Sequence, residues 1–202
     1  KLAKESGACP RFNETTYAQG ILPIDTYKRD LDDLCQEPLL LDWETLRGEI
    51  KQHGLRNSTL TALMPSETSS QIAYATNGIE PPRGLISVKA SKDGIVRQVV
   101  PDYTELKDNY ELLWSQPNND GYLQLVGVMQ KFVDQAISAN TSYDPSRFEG
   151  HKVPMKQLLK DLLTAYKYGL KTLYYHNTRD GADDAQLQVA QADDCAGGAC
   201  KI

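Results

Sequence analysis

The sequence has 202 residues, of which 40% are hydrophobic and 24% are charged, and its formal net charge at pH 7 is -5. This composition is that of a globular protein, and a negative charge without a basic stripe argues against nucleic acid as a partner. No apolar run approaches the roughly 20 residues that cross a bilayer, and no signal peptide follows Lys1. We therefore expect a cytoplasmic protein with no membrane partner.

The first part of the chain alternates helical patterns with glycine and proline breaks. Because the chain opens on Lys1, as if inside a helix, we expect a fragment, a processed product or one piece of a split polypeptide. Apolar residues at helical spacing predict helices over residues 25–34 and 42–53. Asp42 suits the N-cap of the second helix, and Gly54 suits its end.

The middle of the chain begins with a change of character. Residues 65–70 are rich in hydroxyl groups and lead into a helical stretch through Tyr74. We expect Asn77-Gly78 to end that stretch and Pro81-Pro82 to prevent its resumption. A hairpin is predicted next, with strands at residues 85–90 and 95–100 and a turn at residues 92–94.

The remaining elements alternate in type, which favours an α/β architecture. The pattern predicts helices at residues 103–114, 122–132 and 154–168, and strands at residues 133–139 and 170–175. The helix over residues 154–168 is the clearest, and Gly169 ends it. We expect its buried face to follow Val153, Leu158, Leu162 and Ala165.

The last segment differs in composition from a packed domain. Residues 179–202 contain five Asp and only three large aliphatic residues. Such a stretch buries too little apolar area to offset its ordering entropy, so we predict a disordered tail after a packed part that covers residues 1–178.

A cysteine pair lies near the end of this tail. Four small residues, two of them glycine, separate Cys195 from Cys200, so the two sulfur atoms can approach and form a disulfide that breaks readily. Thiol–disulfide exchange needs such access to each sulfur. The alternatives are half of a zinc site or an incidental pair, and we expect no metal site because histidines are few.

Two further places have candidate chemistry. Pro65, Ser66, Glu67, Thr68 and Ser69 precede a helix, where backbone N–H groups and hydroxyls suit a phosphate or diphosphate, although Ser66 or Thr68 can equally be an ordinary helix cap. Tyr174 and Tyr175 point to opposite faces in a regular strand, so one of them belongs in the core. At a strand end their rings can instead stack and pass an electron and a proton from one to the other.

Several strings in this order resemble the large, catalytic subunit of class I ribonucleoside-diphosphate reductases of bacteria and bacteriophages. The strings are Pro65-Ser-Glu-Thr-Ser-Ser-Gln71, Asn77-Gly-Ile-Glu-Pro-Pro-Arg-Gly84, Lys160-Asp-Leu-Leu-Thr-Ala-Tyr166, Thr172-Leu-Tyr-Tyr175, Asn177-Thr-Arg-Asp-Gly181 and the terminal Cys195-x4-Cys200-Lys-Ile. The resemblance runs from about Gly7 to Ile202. It implies the later part of a ten-stranded α/β barrel, followed by the tail.

The resemblance also implies roles for the candidate residues. Ser66, Glu67, Thr68 and Ser69 would hold the diphosphate of a ribonucleoside diphosphate that is reduced by radical chemistry. Tyr175 and then Tyr174 would relay a radical from the small subunit, whose metal cofactor generates it. Cys195 and Cys200 would re-reduce the active-site disulfide and be recharged by thioredoxin or glutaredoxin.

Parts of the family pattern are missing from this sequence. The thiyl-radical cysteine lies in an Asn-x-Cys-x-Glu pattern that neither Cys9 nor Cys35 matches, so we interpret both as structural or incidental. The active-site cysteine pair, the specificity loops and the region that binds ATP and dNTP effectors are also absent. We therefore expect no activity without an N-terminal portion of the large subunit, and no cofactor in this chain.

Two alternatives to this catalytic interpretation stay open. The chain can be a non-catalytic assembly piece of a split reductase, in which case an N-terminal portion would restore solubility but not turnover. It can also be a stand-alone thiol–disulfide carrier, in which case turnover with thioredoxin would not depend on the first 178 residues.

Overall fold

The structure, a computed structural model, describes residues 1–91 and 94–179 and combines helices with strands. This confirms the α/β expectation. The helices are α1 (Leu2–Ser6), α2 (Trp43–His53), α3 (Glu67–Ile72), α4 (Tyr103–Leu106), α5 (Asp120–Gln130) and α6 (Met155–Lys167). The strands are β1 (Ile86–Ser91), β2 (Gly94–Val99), β3 (Ala139–Tyr143) and β4 (Leu173–Thr178). Over the described residues the strands form two two-stranded sheets, β1–β2 and β3–β4, and no closed barrel.

The chain divides into two compact units. The first contains residues 1–63, 120–139 and 159–174. The second contains residues 64–119 and 140–158 and, within the described chain, residues 175–179. In the part of the chain that the structure describes, no helix is long and apolar enough to span a membrane.

Helix α2 organises one core of the first unit. Ile50 packs from this helix against Tyr17, Leu22 and Ile24, all less than 10% exposed. The Asp42 carboxylate accepts a hydrogen bond of 2.9 Å from the Thr45 N–H, which satisfies one of the free donors of the first turn. The helix ends at Gly54, whose φ of 74° favours glycine. The prediction of this helix, its cap and its end is confirmed.

The helix predicted over residues 25–34 is wrong. Short 3-10 turns occupy the segment instead, at Pro23–Asp25 and Arg29–Asp33. The Asp25 carboxylate accepts a hydrogen bond of 2.7 Å from the Leu22 N–H, and the Tyr27 hydroxyl donates one of 2.7 Å to Asp32. These local side-chain hydrogen bonds offer the backbone an alternative to a continuous helix.

The hairpin of the second unit is confirmed. Strands β1 and β2 pair antiparallel, from Ile86 opposite Val99 to Ser91 opposite Gly94. Lys92 and Asp93 of the predicted turn lie outside the described residues.

The helix predicted over residues 103–114 is too long. Helix α4 ends at Leu106, and two 3-10 turns follow at Lys107–Asn109 and Leu113–Ser115. The Tyr110 hydroxyl donates to the Pro101 carbonyl at 2.8 Å, and the Leu113 N–H donates to the Pro82 carbonyl at 2.9 Å. These contacts with other parts of the unit replace the hydrogen bonds of a helix.

Helix α5 is confirmed, but both strands predicted in the last third are displaced toward the C-terminus. The Gln130 side chain donates to the carbonyls of Val133, at 3.0 Å, and Gln135, at 2.8 Å, and so curls the chain after α5. Within the predicted strand 133–139, Ile137 forms an isolated parallel bridge with Leu63, and β3 begins only at Ala139. Strand β4 begins at Leu173 rather than at residue 170.

Helix α6 is confirmed, whereas part of its predicted buried face is wrong. Asp161 is 1% exposed and Ala165 is 3% exposed, whereas Leu162 is 53% exposed. The buried side therefore follows Leu158, Asp161 and Ala165 at helical spacing, and Leu162 lies beside it on the exposed side.

Candidate functional site

A cavity of about 440 Å³ lies within the second unit, where several of the family-like strings meet. The string that starts at Pro65 contributes Pro65 and Gln71, and the string at residues 77–84 contributes most of its members. Strands β3 and β4 add Asn140, Tyr175 and Asn177. The other lining residues are Ala75, Thr76, Ser87, Val88, Gln98, Val99 and Val100.

Asn140 connects two of these segments through its side-chain amide. Its Nδ2 donates a hydrogen bond to the Glu80 carboxyl group, and its Oδ1 accepts one of 2.9 Å from the backbone N–H of Tyr175. Burial raises the pKa of Glu80 above 4.5, although the hydrogen bond from Asn140 and the charge of Arg83 oppose this rise. A carboxyl group, an amide and a tyrosine backbone thus form one network on the cavity wall.

The strands that carry this network run parallel. Asn140 contacts Tyr175, Thr141 contacts His176 and Tyr143 contacts Arg179, so the partners advance together along both strands. Thr141 is fully buried, and its Oγ1 shares a hydrogen bond of 2.6 Å with Nδ1 of His176. His176, the residue that follows Tyr175, is therefore held by a contact with β3.

Tyr174 and Tyr175 are the second and third residues of β4, close to its start. Tyr174 is 48% exposed and Tyr175 is 56% exposed. Neither lies in the core, which differs from the expectation that a regular strand would bury one of them. Tyr175 also lines the cavity. The strand-end position required by the relay interpretation is present.

The segment at residues 65–69 begins a short helix. Ser66 occupies the N-cap position of α3, but its side chain makes no capping hydrogen bond and instead donates to the Met64 carbonyl at 3.4 Å. Thr68 and Ser69 are exposed, and Pro65 lines the cavity. Ser66 therefore occupies the N-cap position that the capping interpretation predicts, but its hydroxyl makes no capping hydrogen bond. Thr68 and Ser69 are available to solvent as exposed residues.

Helix α3 also ends earlier than predicted, at Ile72 rather than at Asn77-Gly78. The backbone at Tyr74 adopts the left-handed conformation, with a φ of 50°. The Tyr74 hydroxyl accepts a hydrogen bond of 3.1 Å from the backbone N–H of Asp102, which holds this turn in place. After this turn the chain continues along the cavity wall from Ala75.

The four cysteines divide into two groups. Cys195 and Cys200 lie outside the described residues, so the predicted redox pair stays a prediction. Cys9 and Cys35 are free thiols that are partly buried.

Comparison with known proteins decides the family. A family model described as "Ribonucleotide reductase, barrel domain" matches residues 1–176. The chain belongs to this ribonucleotide reductase family. The ribonucleoside-diphosphate reductase 1 subunit alpha of Escherichia coli (strain K12) is 75% identical over 205 residues, and the protein of the same name from Salmonella typhimurium is 76% identical over 205 residues. The ribonucleoside-diphosphate reductase subunit alpha of Enterobacteria phage T4 is 47% identical over 206 residues.

These matches cover 100% of this chain but only 27% of the length of each of the three relatives. The family explains why the strings occur together in this order. Membership of the family does not by itself explain what the side chains of Glu80 and Asn140 contribute to the cavity wall. Glu80 belongs to one of the strings, whereas Asn140 had no sequence signal beyond its polarity within an otherwise strand-like stretch.

Asp144 holds the end of β4 through Arg179, the residue that follows this strand. Its carboxylate accepts hydrogen bonds from the Ser146 hydroxyl, at 2.6 Å, and from Arg179, at 3.2 Å. These hydrogen bonds, with the positive charge of Arg179, hold the pKa of Asp144 below its usual value of 3.8. Because the folded state binds its proton more weakly, this carboxylate stabilises the fold above pH 3.8, and the contribution is lost as the pH falls through the lowered pKa.

We expect Asp144→Asn to lower the free energy of unfolding at neutral pH, with a difference from wild type that shrinks as the pH falls below 3.8. Urea unfolding at a series of pH values measures this difference. The exposed carboxylate of Glu149 provides the control, as Glu149→Gln removes the same charge without these partners. A difference for Asp144→Asn that grows toward low pH would contradict the assignment.

Proposed function

We propose that this chain acts as part of the catalytic subunit of a class I ribonucleotide reductase, which reduces ribonucleoside diphosphates to 2′-deoxyribonucleoside diphosphates by radical chemistry. The observation that carries this proposal is the convergence of family-like strings, together with Tyr175, on one cavity. The family match over residues 1–176 supports it. In the assembled enzyme, residues 1–178 would belong to a ten-stranded α/β barrel, and residues 179–202 would carry the redox cysteines.

The proposed roles follow the chemistry of each group. Exposed hydroxyls at Thr68 and Ser69, beside Ser66 and Glu67 at the start of α3, would hold the substrate diphosphate, with Pro65 fixing the approach of the chain. Each tyrosine of the relay would give up a proton and an electron to the incoming radical and recover both from its neighbour. Tyr175 would react first and Tyr174 second.

Cys195 and Cys200 would supply reducing equivalents. One thiolate would attack the disulfide of the active site, and the second would resolve the mixed disulfide, so that two electrons and two protons pass inward while a new disulfide forms in this pair. Thioredoxin or glutaredoxin would reduce that disulfide. The radical itself would come from a metal cofactor in the small subunit, and ATP or dNTP effectors would bind elsewhere in the large subunit.

A chimaera tests the proposal. This chain would replace the matching segment of the E. coli relative, to which it is 75% identical. The chimaera would be assayed with ribonucleoside diphosphate, the E. coli small subunit and a thioredoxin system. We expect turnover within about tenfold of the unmodified relative, a difference of roughly 1.4 kcal/mol in the barrier.

Two other outcomes would favour the alternative functions. A folded chimaera that binds the small subunit but does not turn over would overturn the catalytic role and favour an assembly piece. Reduction of a small disulfide by the chain alone with thioredoxin, at the same rate as in the chimaera, would favour a stand-alone carrier. The unmodified relative, prepared in parallel, controls for the activity of the other components.

A further inference from the structure

The backbone at Tyr175 is anchored by a side chain. Its N–H donates to Oδ1 of Asn140 at 2.9 Å, although the Tyr175 side chain itself is 56% exposed and lines an open cavity. The backbone sets the point and direction from which the Tyr175 side chain projects, and the rotamer then sets where the phenol lies. A group that fixes this backbone therefore also limits where the phenol can lie.

The orientation of the Asn140 amide is decided by Glu80. An amide group presents two donors on nitrogen and an acceptor on oxygen, and rotation by half a turn exchanges them. A carboxylate only accepts hydrogen bonds, so the Glu80 carboxyl group draws Nδ2 of Asn140 toward itself. The Oδ1 atom must then face the N–H of Tyr175.

The buried position of Glu80 is unfavourable for a charged carboxylate, and its hydrogen bond with Asn140 gives a reason for that position. Burial disfavours its charged form, and the hydrogen bond from Asn140 and the charge of Arg83 compensate only in part, since the pKa of Glu80 stays above 4.5. Asn140, on β3, links Glu80 to the backbone of Tyr175 on β4. Glu80 is thus an ionisable group that is buried at a cost in free energy, and its contact with Asn140 orients one amide.

We infer that Glu80 and Asn140 are positioning residues for Tyr175: Glu80 orients the side-chain amide of Asn140, and Asn140 holds the backbone of Tyr175. The inference rests on the proposed relay role of Tyr175. Transfer between two groups is sensitive to their geometry, and a misplacement of about 1 Å can lower a rate by roughly 100-fold. The two residues act through Tyr175 and touch no reacting atom themselves.

A reversal of hydrogen-bond polarity tests the inference in the chimaera. Asn140→Asp keeps an acceptor for the Tyr175 N–H but places two carboxyl groups face to face, so we expect kcat to fall about 10- to 100-fold with KM for the nucleotide unchanged. Adding Glu80→Gln supplies an amide donor to Asp at position 140. The double variant should recover to within about threefold of wild type, because the same contact is rebuilt with its polarity reversed.

Single substitutions at Glu80 complete the cycle. Glu80→Gln keeps an acceptor for Asn140 and should retain kcat, whereas Glu80→Ala removes it and should lower kcat like Asn140→Asp. Hydrogen exchange in the peptide that contains Tyr175 should rise in Glu80→Ala and not in Glu80→Gln. The exposed Glu105 provides the matched control, and Glu105→Ala should resemble wild type in both measurements.

The possible failures are distinct. If the wild-type chimaera is inactive, or if Tyr175→Phe turns over as fast as wild type, the proposed function fails. If the wild-type chimaera is active and Tyr175→Phe is not, the proposed function holds, and the Glu80 and Asn140 variants then test the positioning role alone. It is overturned when Glu80→Ala keeps the wild-type kcat, or when the double variant recovers no activity relative to Asn140→Asp alone.

Discussion

Replacing Tyr175 by Phe in the chimaera is expected to lower kcat at least about 100-fold, equivalent to roughly 2.7 kcal/mol in the barrier. Phenylalanine keeps the ring and its packing but has no hydroxyl proton to give up, so it cannot take part in the relay. Tyr174→Phe should have the same effect, because a relay in series fails when either member is missing. Binding of the nucleotide and of the small subunit should persist, since the backbone contact from Tyr175 to Asn140 does not involve the phenol.

Steady-state kinetics with separate measurement of small-subunit binding would check this result. Tyr166 serves as the matched control, as it is also exposed, at 68%, and packs against the Lys28 ammonium group through its ring rather than through its hydroxyl. Tyr166→Phe should therefore turn over like wild type. Full activity in both Tyr174→Phe and Tyr175→Phe would show that neither tyrosine relays a radical in this protein.

The second large effect concerns Cys195 and Cys200. Replacing either cysteine by Ser should lower thioredoxin-driven turnover at least about 100-fold, because a single thiol cannot complete the exchange that passes two electrons inward. A small dithiol that reaches the active site by itself should restore turnover in these variants. That restoration separates loss of the shuttle from loss of the catalytic site.

The two other cysteines supply the controls for this experiment. Cys9 and Cys35 are partly buried free thiols, and Cys9→Ser or Cys35→Ser should leave thioredoxin-driven turnover unchanged. Turnover would be measured with thioredoxin and with the small dithiol in parallel for all four variants. If Cys195→Ser loses activity equally with both reductants, the cysteine has a role other than the shuttle.

Residues that cap and end helices gave a correct prediction where their signal is plain in the sequence. Helix α2 begins after the Asp42 cap and ends at Gly54, and the sequence alone predicts both boundaries. The segment at residues 25–34 was mispredicted because Asp25 and Tyr27 bind neighbouring groups that no periodicity reveals. The buried position of Asp161 on α6 likewise cannot follow from a hydrophobic pattern, because the pattern assigns charged residues to the surface.

The candidate site was likewise predicted only in part from the sequence. The strings at residues 65–71 and 77–84 and the tyrosine pair marked segments that contribute residues to the cavity wall. The sequence could not predict the contacts that join these segments, because Glu80 is 60 residues from Asn140, and Asn140 is 35 residues from Tyr175. A single sequence carries propensity and pattern, but the pairing of distant polar groups depends on how the whole unit packs.

The separations along the chain also imply an order of folding. The hairpin partners of β1 and β2 lie close in sequence, down to Ser91 opposite Gly94, so they meet at a small cost in loop-closure entropy. The contact between Asn140 and Tyr175 must close a much longer loop, which slows its formation relative to the hairpin. We therefore expect the contact between β3 and β4 that anchors Tyr175 to form after the β1–β2 hairpin.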